Sequence, residues 1–157
     1  MQPRKFALIG GIVMLAMGLL ALIPDLYIYP QNVELPGLMV QSSYGYFLGF
    51  IPMNIFNKLG LVLFGLAGIA ATRAPTTSLP KSITWSRWVC FVMAPLAILG
   101  LFPQTNTLGG YMPLFESQVW IYGIFALLGA YFGFALTTKA AREVAPLKDG
   151  KGNIRAA

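Results

Sequence analysis

The chain has 157 residues, of which 57 % are hydrophobic and 10 % charged, with a mean hydropathy of +0.68 and a net charge of +6. A soluble domain carries about 25 % charged residues, so this composition excludes an ordinary soluble globule and favours a membrane protein. The sequence has no histidine and one cysteine, Cys90. This excludes histidine-ligated haem or chlorophyll, histidine-based acid catalysis, Cys/His zinc sites and internal disulfides.

Four long apolar runs hold most of the hydrophobic residues. They occupy residues 6–23, 55–71, 88–102 and 119–136, and Ser86 and Arg87 extend the third run to a predicted helix at residues 86–102. Each is close to the roughly 20 residues that cross the hydrocarbon core of a bilayer as a helix. The first run ends without the small-residue cleavage site of a signal peptide, so we expect it to be retained. We therefore predict an all-α fold, with a transmembrane four-helix bundle in residues 1–138 and a basic tail in residues 139–157.

The basic residues predict the orientation of the bundle in the membrane. Ten of the eleven lysines and arginines lie before the first run, between the second and third runs, or after the fourth. The loops after the first and third runs carry Asp25, Glu34 and Glu116. Because positive side chains stay on the cytoplasmic side, we expect four spans across a bacterial inner membrane with both termini in the cytoplasm. The scattered basic residues argue against nucleic-acid binding.

The two halves of the sequence resemble each other. The matching segments are Val13-Met14 with Val92-Met93, and Gly49-Phe50-Ile51-Pro52 with Gly110-Tyr111-Met112-Pro113. Both halves begin on the same predicted side of the membrane, so a repeat would be parallel, unlike the inverted repeats of many transporters. The similarity suggests a duplicated helical hairpin.

The connections between the runs carry turn and interface signals. Residues 43–51 are expected to form a short interfacial element, amphipathic or re-entrant, because a long structureless connection would be unusual. Asn54 and Ser117 are suitable N-caps for the second and fourth helices, and residues 72–84 read as a solvated linker. Aromatic side chains at the predicted interfaces are expected to anchor the bundle there, namely Trp85, Trp88, Trp120 and Tyr111.

Small residues recur at helical spacing along three of the runs. Small side chains let helix backbones approach closely within lipid, where van der Waals contact replaces the hydrophobic effect as the attraction. We expect these faces to pack within the bundle, while a homodimer seam stays open as the alternative. The predicted packing residues are Gly11, Gly18, Gly65, Gly68, Ala126, Gly129 and Gly133.

Lys58 is the one charged residue inside an apolar run. An intramembrane charge is a candidate for a functional role, but Lys58 lies one turn from the outer end of its helix. Its side chain can therefore snorkel to the headgroups or pair with Glu116 on the same side; a substrate, proton or partner contact is the other reading. The candidate polar or partner contacts are Asn54, Asn57, Lys58, Glu116 and Tyr122.

The chain also resembles a family of small bacterial four-helix membrane proteins that is classified as a domain of unknown function. The likeness extends from about residue 46 to residue 134 and depends on glycine, proline and aromatic positions near the second and fourth helices. These positions are Phe50-Ile51-Pro52-Met53-Asn54, Gly65, Gly68, Gly110, Pro113, Trp120 and Tyr131-Phe132-Gly133.

This chain departs from the family pattern at three positions. Members tend to carry histidines near the start of the second helix and early in the fourth, where this sequence has Asn57, Leu61 and Tyr122. A metal, haem or proton role for such histidines therefore does not transfer to this chain. The resemblance implies a four-span inner-membrane protein and supplies no activity.

These observations favour a non-enzymatic accessory or structural subunit of a larger membrane complex. Such a protein acts through helix packing and lipid contacts, and its partners are other integral membrane subunits. A small oligomeric transporter or channel, with polar residues near the outer leaflet, is the alternative. No cofactor is predicted, bound lipid is expected, and pigment contacts without histidine ligands stay open.

Overall fold

The computed structural model describes residues 3–29, 37–74 and 76–137, and four long helices dominate it. They are α1 (Pro3–Leu20), α2 (Ile55–Arg73), α3 (Ser78–Gly100) and α4 (Ser117–Ala130), and a π-helical segment (Tyr131–Ala135) continues α4. All four, α4 together with that segment, are long and apolar enough to cross a membrane. The predicted membrane-spanning four-helix bundle is confirmed. The basic tail predicted at residues 139–157 lies outside the described residues.

Two helix boundaries differ from the sequence prediction. Helix α1 ends at Leu20, and the chain continues through a 3-10 turn (Pro24–Leu26). Helix α3 begins at Ser78, so much of the segment read as a solvated linker is helical. Pro80 lies in the first turn of α3. A proline is tolerated in that turn because its missing N–H would have no helical partner.

The all-α prediction misses a small antiparallel sheet between α1 and α2. Its strands are β1 (Tyr27–Ile28), β2 (Gly45–Phe47) and β3 (Ile51–Met53), in the order β1-β2-β3. The element expected at residues 43–51 is thus largely a β-hairpin. Strands this short show no alternation that a sequence pattern can reveal, which is why the sheet was missed.

The bundle is built from two helical hairpins, α1 with α2 and α3 with α4, and glycines form their seams. A Cβ atom at Gly65 would lie 2.5 Å from the Leu15 amide nitrogen and 2.7 Å from the Gly11 carbonyl oxygen. A Cβ atom at Gly129 would lie 2.7 Å from the Ser86 carbonyl oxygen. The helix backbones touch directly at these points, and only glycine leaves room for that contact.

The buried faces of the two halves correspond at constant sequence offsets. In α1 and α3, Phe6, Met14 and Gly18 correspond to Trp85, Met93 and Ala97, which are all buried. The buried residues of α2 are Asn57, Lys58, Leu61, Gly65, Gly68 and Ala71, and those of α4 and its π-helical segment are Gln118, Tyr122, Ala126, Gly129, Phe132 and Gly133. A single offset relates five of the six α2 positions to buried positions in the second hairpin.

The turn that precedes the second helix of each hairpin also repeats. Gly49 and Gly110 have φ angles of +82° and +89°, a backbone conformation that favours glycine. The Gly49 amide donates to the Tyr46 carbonyl at 3.1 Å, and the Gly110 amide donates to the Thr107 carbonyl at 2.9 Å. This shared geometry, together with the shared buried faces, supports the duplicated helical hairpin suggested by the sequence.

Candidate functional site

A cluster of buried polar side chains lies where α2 and α4 begin, beneath the two loops at that end of the bundle. Asn54 is at its edge and caps α2. Its side-chain oxygen accepts hydrogen bonds from the backbone amides of Phe56 (3.1 Å) and Asn57 (3.4 Å). Its backbone amide donates to the side-chain oxygen of Asn57 at 3.0 Å. This is a capping box, and the predicted N-cap role of Asn54 is confirmed.

Asn54 also connects the two loops. Its side-chain nitrogen donates to the Val40 carbonyl at 3.2 Å and to the Tyr111 carbonyl at 2.6 Å. Val40 belongs to the loop after α1 and Tyr111 to the loop after α3. One fully buried amide therefore fastens both loops to the start of α2.

The centre of the cluster joins α2 to α4. The side-chain nitrogen of Asn57 donates to the Tyr122 hydroxyl at 2.8 Å and to the Pro113 carbonyl at 3.1 Å. The side-chain nitrogen of Gln118 donates to the same hydroxyl at 3.1 Å, while Gln118 Oε1 has no hydrogen-bond partner among the described residues. Sequence reasoning missed Gln118. The signal that finds it is the duplication, since Gln118 is the counterpart of Asn57 in the second hairpin.

Lys58 binds the loop after α1 and does not pair with Glu116. Its Nζ donates to the carbonyl oxygen of Ser43 at 2.8 Å and to the hydroxyl of Ser43 at 2.7 Å, and it lies 4.3 Å from the centre of the Tyr27 ring. Lys58 is only 1 % exposed. The predicted pairing with Glu116 is wrong, because the loop folds over α2 and supplies oxygen acceptors nearer to the ammonium group.

Glu116 instead lies beside two tyrosines of the loop. The Tyr46 hydroxyl donates to Glu116 Oε1 at 3.2 Å, and the Tyr44 ring lies 6.3 Å from that of Tyr46. Burial raises the pKa of the Tyr44 hydroxyl, and the nearby Tyr46 and Glu116 raise it further. Burial also raises the pKa of Tyr46. Both phenols therefore stay neutral at physiological pH.

The N-cap prediction for the fourth helix is wrong. Ser117 is the first residue of α4, while Glu116 occupies the cap position with a φ angle of +55°. The Ser117 hydroxyl donates to the Phe50 carbonyl in the turn between β2 and β3. Ser117 therefore links α4 to the sheet.

One of the four expected interfacial anchors is buried. Trp88, Tyr111 and Trp120 are exposed, as membrane anchors would be, whereas Trp85 is 5 % exposed. The indole N–H of Trp85 donates to the Phe64 carbonyl at 3.0 Å, and its ring would contact a Cβ atom at Gly68. Trp85 of α3 therefore packs against α1 and α2, and its prediction as an anchor is corrected.

The cluster holds loops and helices together. Its members are neutral amides, one phenol and one ammonium group, and each already forms hydrogen bonds within the chain. Buried polar groups that are paired in this way fix one arrangement of the surrounding elements. The geometry is that of a structural clamp between the loops and the bundle.

Comparison with curated proteins gave no match, and comparison with solved structures gave none. A family model described as Domain of unknown function (DUF4383) matches residues 4–135, a range that begins in α1 and ends with the π-helical segment after α4. The resemblance seen in the glycine, proline and aromatic positions is thereby confirmed. The chain belongs to this family of proteins of unknown function, defined by the domain DUF4383.

Proposed function

We propose that this membrane protein is a non-enzymatic accessory or structural subunit of a larger membrane complex. The observation that carries the proposal is a row of large side chains on α4 and the π-helical segment that continues it. Trp120, Ile124, Leu127 and Tyr131 follow one another at helical spacing and are 50 to 74 % exposed. Such a row offers a continuous surface for the helix of a partner subunit.

The contacts that the glycines and the polar side chains form within the chain support this proposal. The glycines of α1, α2 and α4 that face neighbouring helices are occupied by contacts within the chain. The polar side chains of the cluster are bonded to one another and to the loops. A transporter needs polar groups along the path of its substrate, whereas the polar side chains of this cluster bond to one another and to the loops. The surface left for contact with a partner within the membrane is apolar.

Co-purification in mild detergent, followed by mass spectrometry of the bound chains, tests the proposal. We expect a stoichiometric membrane partner whose yield falls in the variants Ile124→Ala and Leu127→Ala. Ile12→Ala is the matched control, because Ile12 is a similarly exposed apolar residue on α1. A chain that purifies alone, or a partner that all three variants retain equally, would overturn the proposal.

We place the protein in a bacterial inner membrane with both termini in the cytoplasm, in accord with the distribution of basic residues. The described residues support this placement, since Arg4, Lys5, Arg73 and Lys81 lie near one end of the helices while Asp25 and Glu116 lie at the other. A reporter that is active only in the cytoplasm, fused after Ala157, should be active. The same reporter inserted after Thr105 should be silent; the reverse pattern contradicts the placement.

A further inference from the structure

An open groove lies between α2 and α3 at the end of the bundle where Arg4, Lys5, Arg73 and Lys81 lie. It has a volume of about 690 Å³, with a floor of Ala67, Ala70 and Ala71 and walls that include Trp85 and Trp88. A second apolar cleft of about 290 Å³ shares Ala67 and both tryptophans and extends the groove along α2 to Leu63. The eight steps along α2 from Ala71 to Leu63 correspond to about 12 Å of helix, so the groove extends from the helix ends along the apolar length of α2.

The duplication shows why this groove is open. At the offset that relates α2 to α4, the three alanines correspond to Leu128, Tyr131 and Phe132. In the second hairpin Phe132 is buried and stacks on Phe6, with ring centres 4.7 Å apart. Between α2 and α3, α2 places alanine methyl groups where the second hairpin has larger side chains, and the space stays open. The groove is therefore a departure from the internal symmetry of the bundle.

The side chain of Lys81 places a positive charge at the end of the groove. Lys81 lines it and is exposed, with the hydroxyl-bearing side chains of Thr77 and Thr84 nearby on the same lining. The structure describes two acidic residues, Asp25 and Glu116. Both belong to loops at the opposite end of the helices. The ammonium group of Lys81 therefore faces no described carboxylate and is available to an external anion.

We propose that this groove is a binding site for an anionic phospholipid. One acyl chain lies over the alanine floor between Trp85 and Trp88, and the phosphate group accepts hydrogen bonds from Lys81 Nζ. Anionic lipids present a phosphate at the level of a helix end, and basic pockets between transmembrane helices recognise it. A partner helix would have to supply an acidic side chain at that same level, so lipid is the occupant that charge complementarity favours. This inference goes beyond the proposed accessory role, since it names one class of lipid and the groove that binds it.

Quenching of tryptophan fluorescence by brominated lipids tests the proposal. The protein has three tryptophans, and the variant Trp120→Phe leaves Trp85 and Trp88 of the groove as the fluorophores. This variant is reconstituted in phosphatidylcholine vesicles that contain rising fractions of brominated phosphatidylglycerol or of brominated phosphatidylcholine. We expect half-maximal quenching at a roughly fivefold lower fraction of the anionic lipid. This factor corresponds to the free energy with which one basic side chain attracts an anionic membrane surface.

Substitutions then distinguish the contribution of the Lys81 charge to lipid binding from that of the open groove. Lys81→Gln should equalise the two lipids, and Lys81→Arg should restore the preference. Arg4→Gln is the matched control, because it removes a cation that lines a different cleft, beside Thr72. Ala70→Tyr introduces the side chain that Tyr131 has at the corresponding position and should abolish the saturable component of quenching.

Three outcomes would overturn the proposal. They are equal quenching by both lipids in the starting protein, a phosphatidylglycerol preference that survives Lys81→Gln, and a co-purifying protein chain that shields the groove from both lipids. If Ala70→Tyr fails to fold, the comparison of Lys81→Gln with Lys81→Arg decides the question without it.

Discussion

The Tyr122 hydroxyl accepts a hydrogen bond from the side-chain amide of Asn57 at 2.8 Å, which joins α4 to α2 at a point where both residues are fully buried. The two helices belong to different hairpins. The contact therefore connects the two halves of the bundle, and the side-chain nitrogen of Asn57 also donates to the Pro113 carbonyl of the loop before α4.

This contact predicts a measurable coupling between the two side chains. Asn57→Leu and Tyr122→Phe should each lower the free energy of unfolding, since each leaves buried polar groups unpaired, at about 1–3 kcal/mol per group. The double variant should lose less than the sum, by about 0.6 kcal/mol, the average found for hydrogen bonds between membrane helices, and by at most about 1.7 kcal/mol. Denaturant unfolding in detergent micelles measures this. Asn57→Leu combined with Tyr46→Phe, a pair with no direct contact, should be additive; coupling of equal size there would contradict the prediction.

The glycine seams predict opposite effects of the same substitution at neighbouring positions. Gly65→Ala should destabilise the bundle by about 1–3 kcal/mol, because the added methyl group meets the backbone of α1. Gly60→Ala, also in α2, meets no atom within 4 Å and should be neutral or stabilising by up to about 1 kcal/mol through helix propensity. Thermal unfolding in detergent distinguishes them.

The second hairpin offers an independent repetition of that comparison. Gly129→Ala should behave like the seam variant, because its methyl group would meet the Ser86 carbonyl and the Cys90 amide, while Gly123→Ala has open space. Equal melting temperatures for the seam and control variants in both hairpins would show that the helices do not touch at these glycines.

Lys58 is expected to hold the small sheet and its loop against the bundle. Lys58→Met removes both hydrogen bonds to Ser43 and the contact with the Tyr27 ring, so amide hydrogen exchange in residues 43–53 should accelerate while exchange in α3 stays unchanged. Hydrogen bonds to a charged group contribute about 1.5–3 kcal/mol, which corresponds to at least a tenfold faster exchange. Lys5→Met, at the opposite end of the bundle, is the control. Unchanged protection of the loop would argue against the clamp.

Tyrosine ionisation predicts a loss of stability in alkaline solution. The pKa of Tyr44 is raised by burial above its ordinary value of 10.0, so the folded state holds the phenolic proton more tightly than the unfolded state does. This stabilisation is fully present below pH 10.0 and is lost as the pH rises above that value towards the raised pKa. Melting temperatures measured across this range should fall less steeply for Tyr44→Phe. Tyr111→Phe, an exposed tyrosine on the other loop, should follow the unmodified chain.

Much of the fold follows from the sequence alone. Apolar runs of spanning length predict the four helices because lipid admits few other structures with satisfied backbone groups. Asn54 predicts the start of α2 because an asparagine oxygen is suited to the free amides of a first helical turn. Glycines at helical spacing mark the seams, since their spacing along the chain is also their position on one face. The repeat of glycine, aromatic, aliphatic and proline residues before two of the runs pointed to the duplication for the same reason, because local sequence determines local turns.

Only the tertiary structure decided which polar groups meet. Lys58 and Glu116 are opposite charges on the same side of the bundle, yet Lys58 bonds to Ser43, because the short sheet brings that loop over α2. Trp85 reads as an interfacial anchor, yet it is buried where Gly10 of α1 and Gly68 of α2 leave room for its ring. Gln118 gave no signal until the duplication matched it with Asn57. These contacts depend on loop paths and on the volumes of facing side chains. Both are properties of residues far apart in the chain, and a sequence pattern, which records only neighbours, does not contain them.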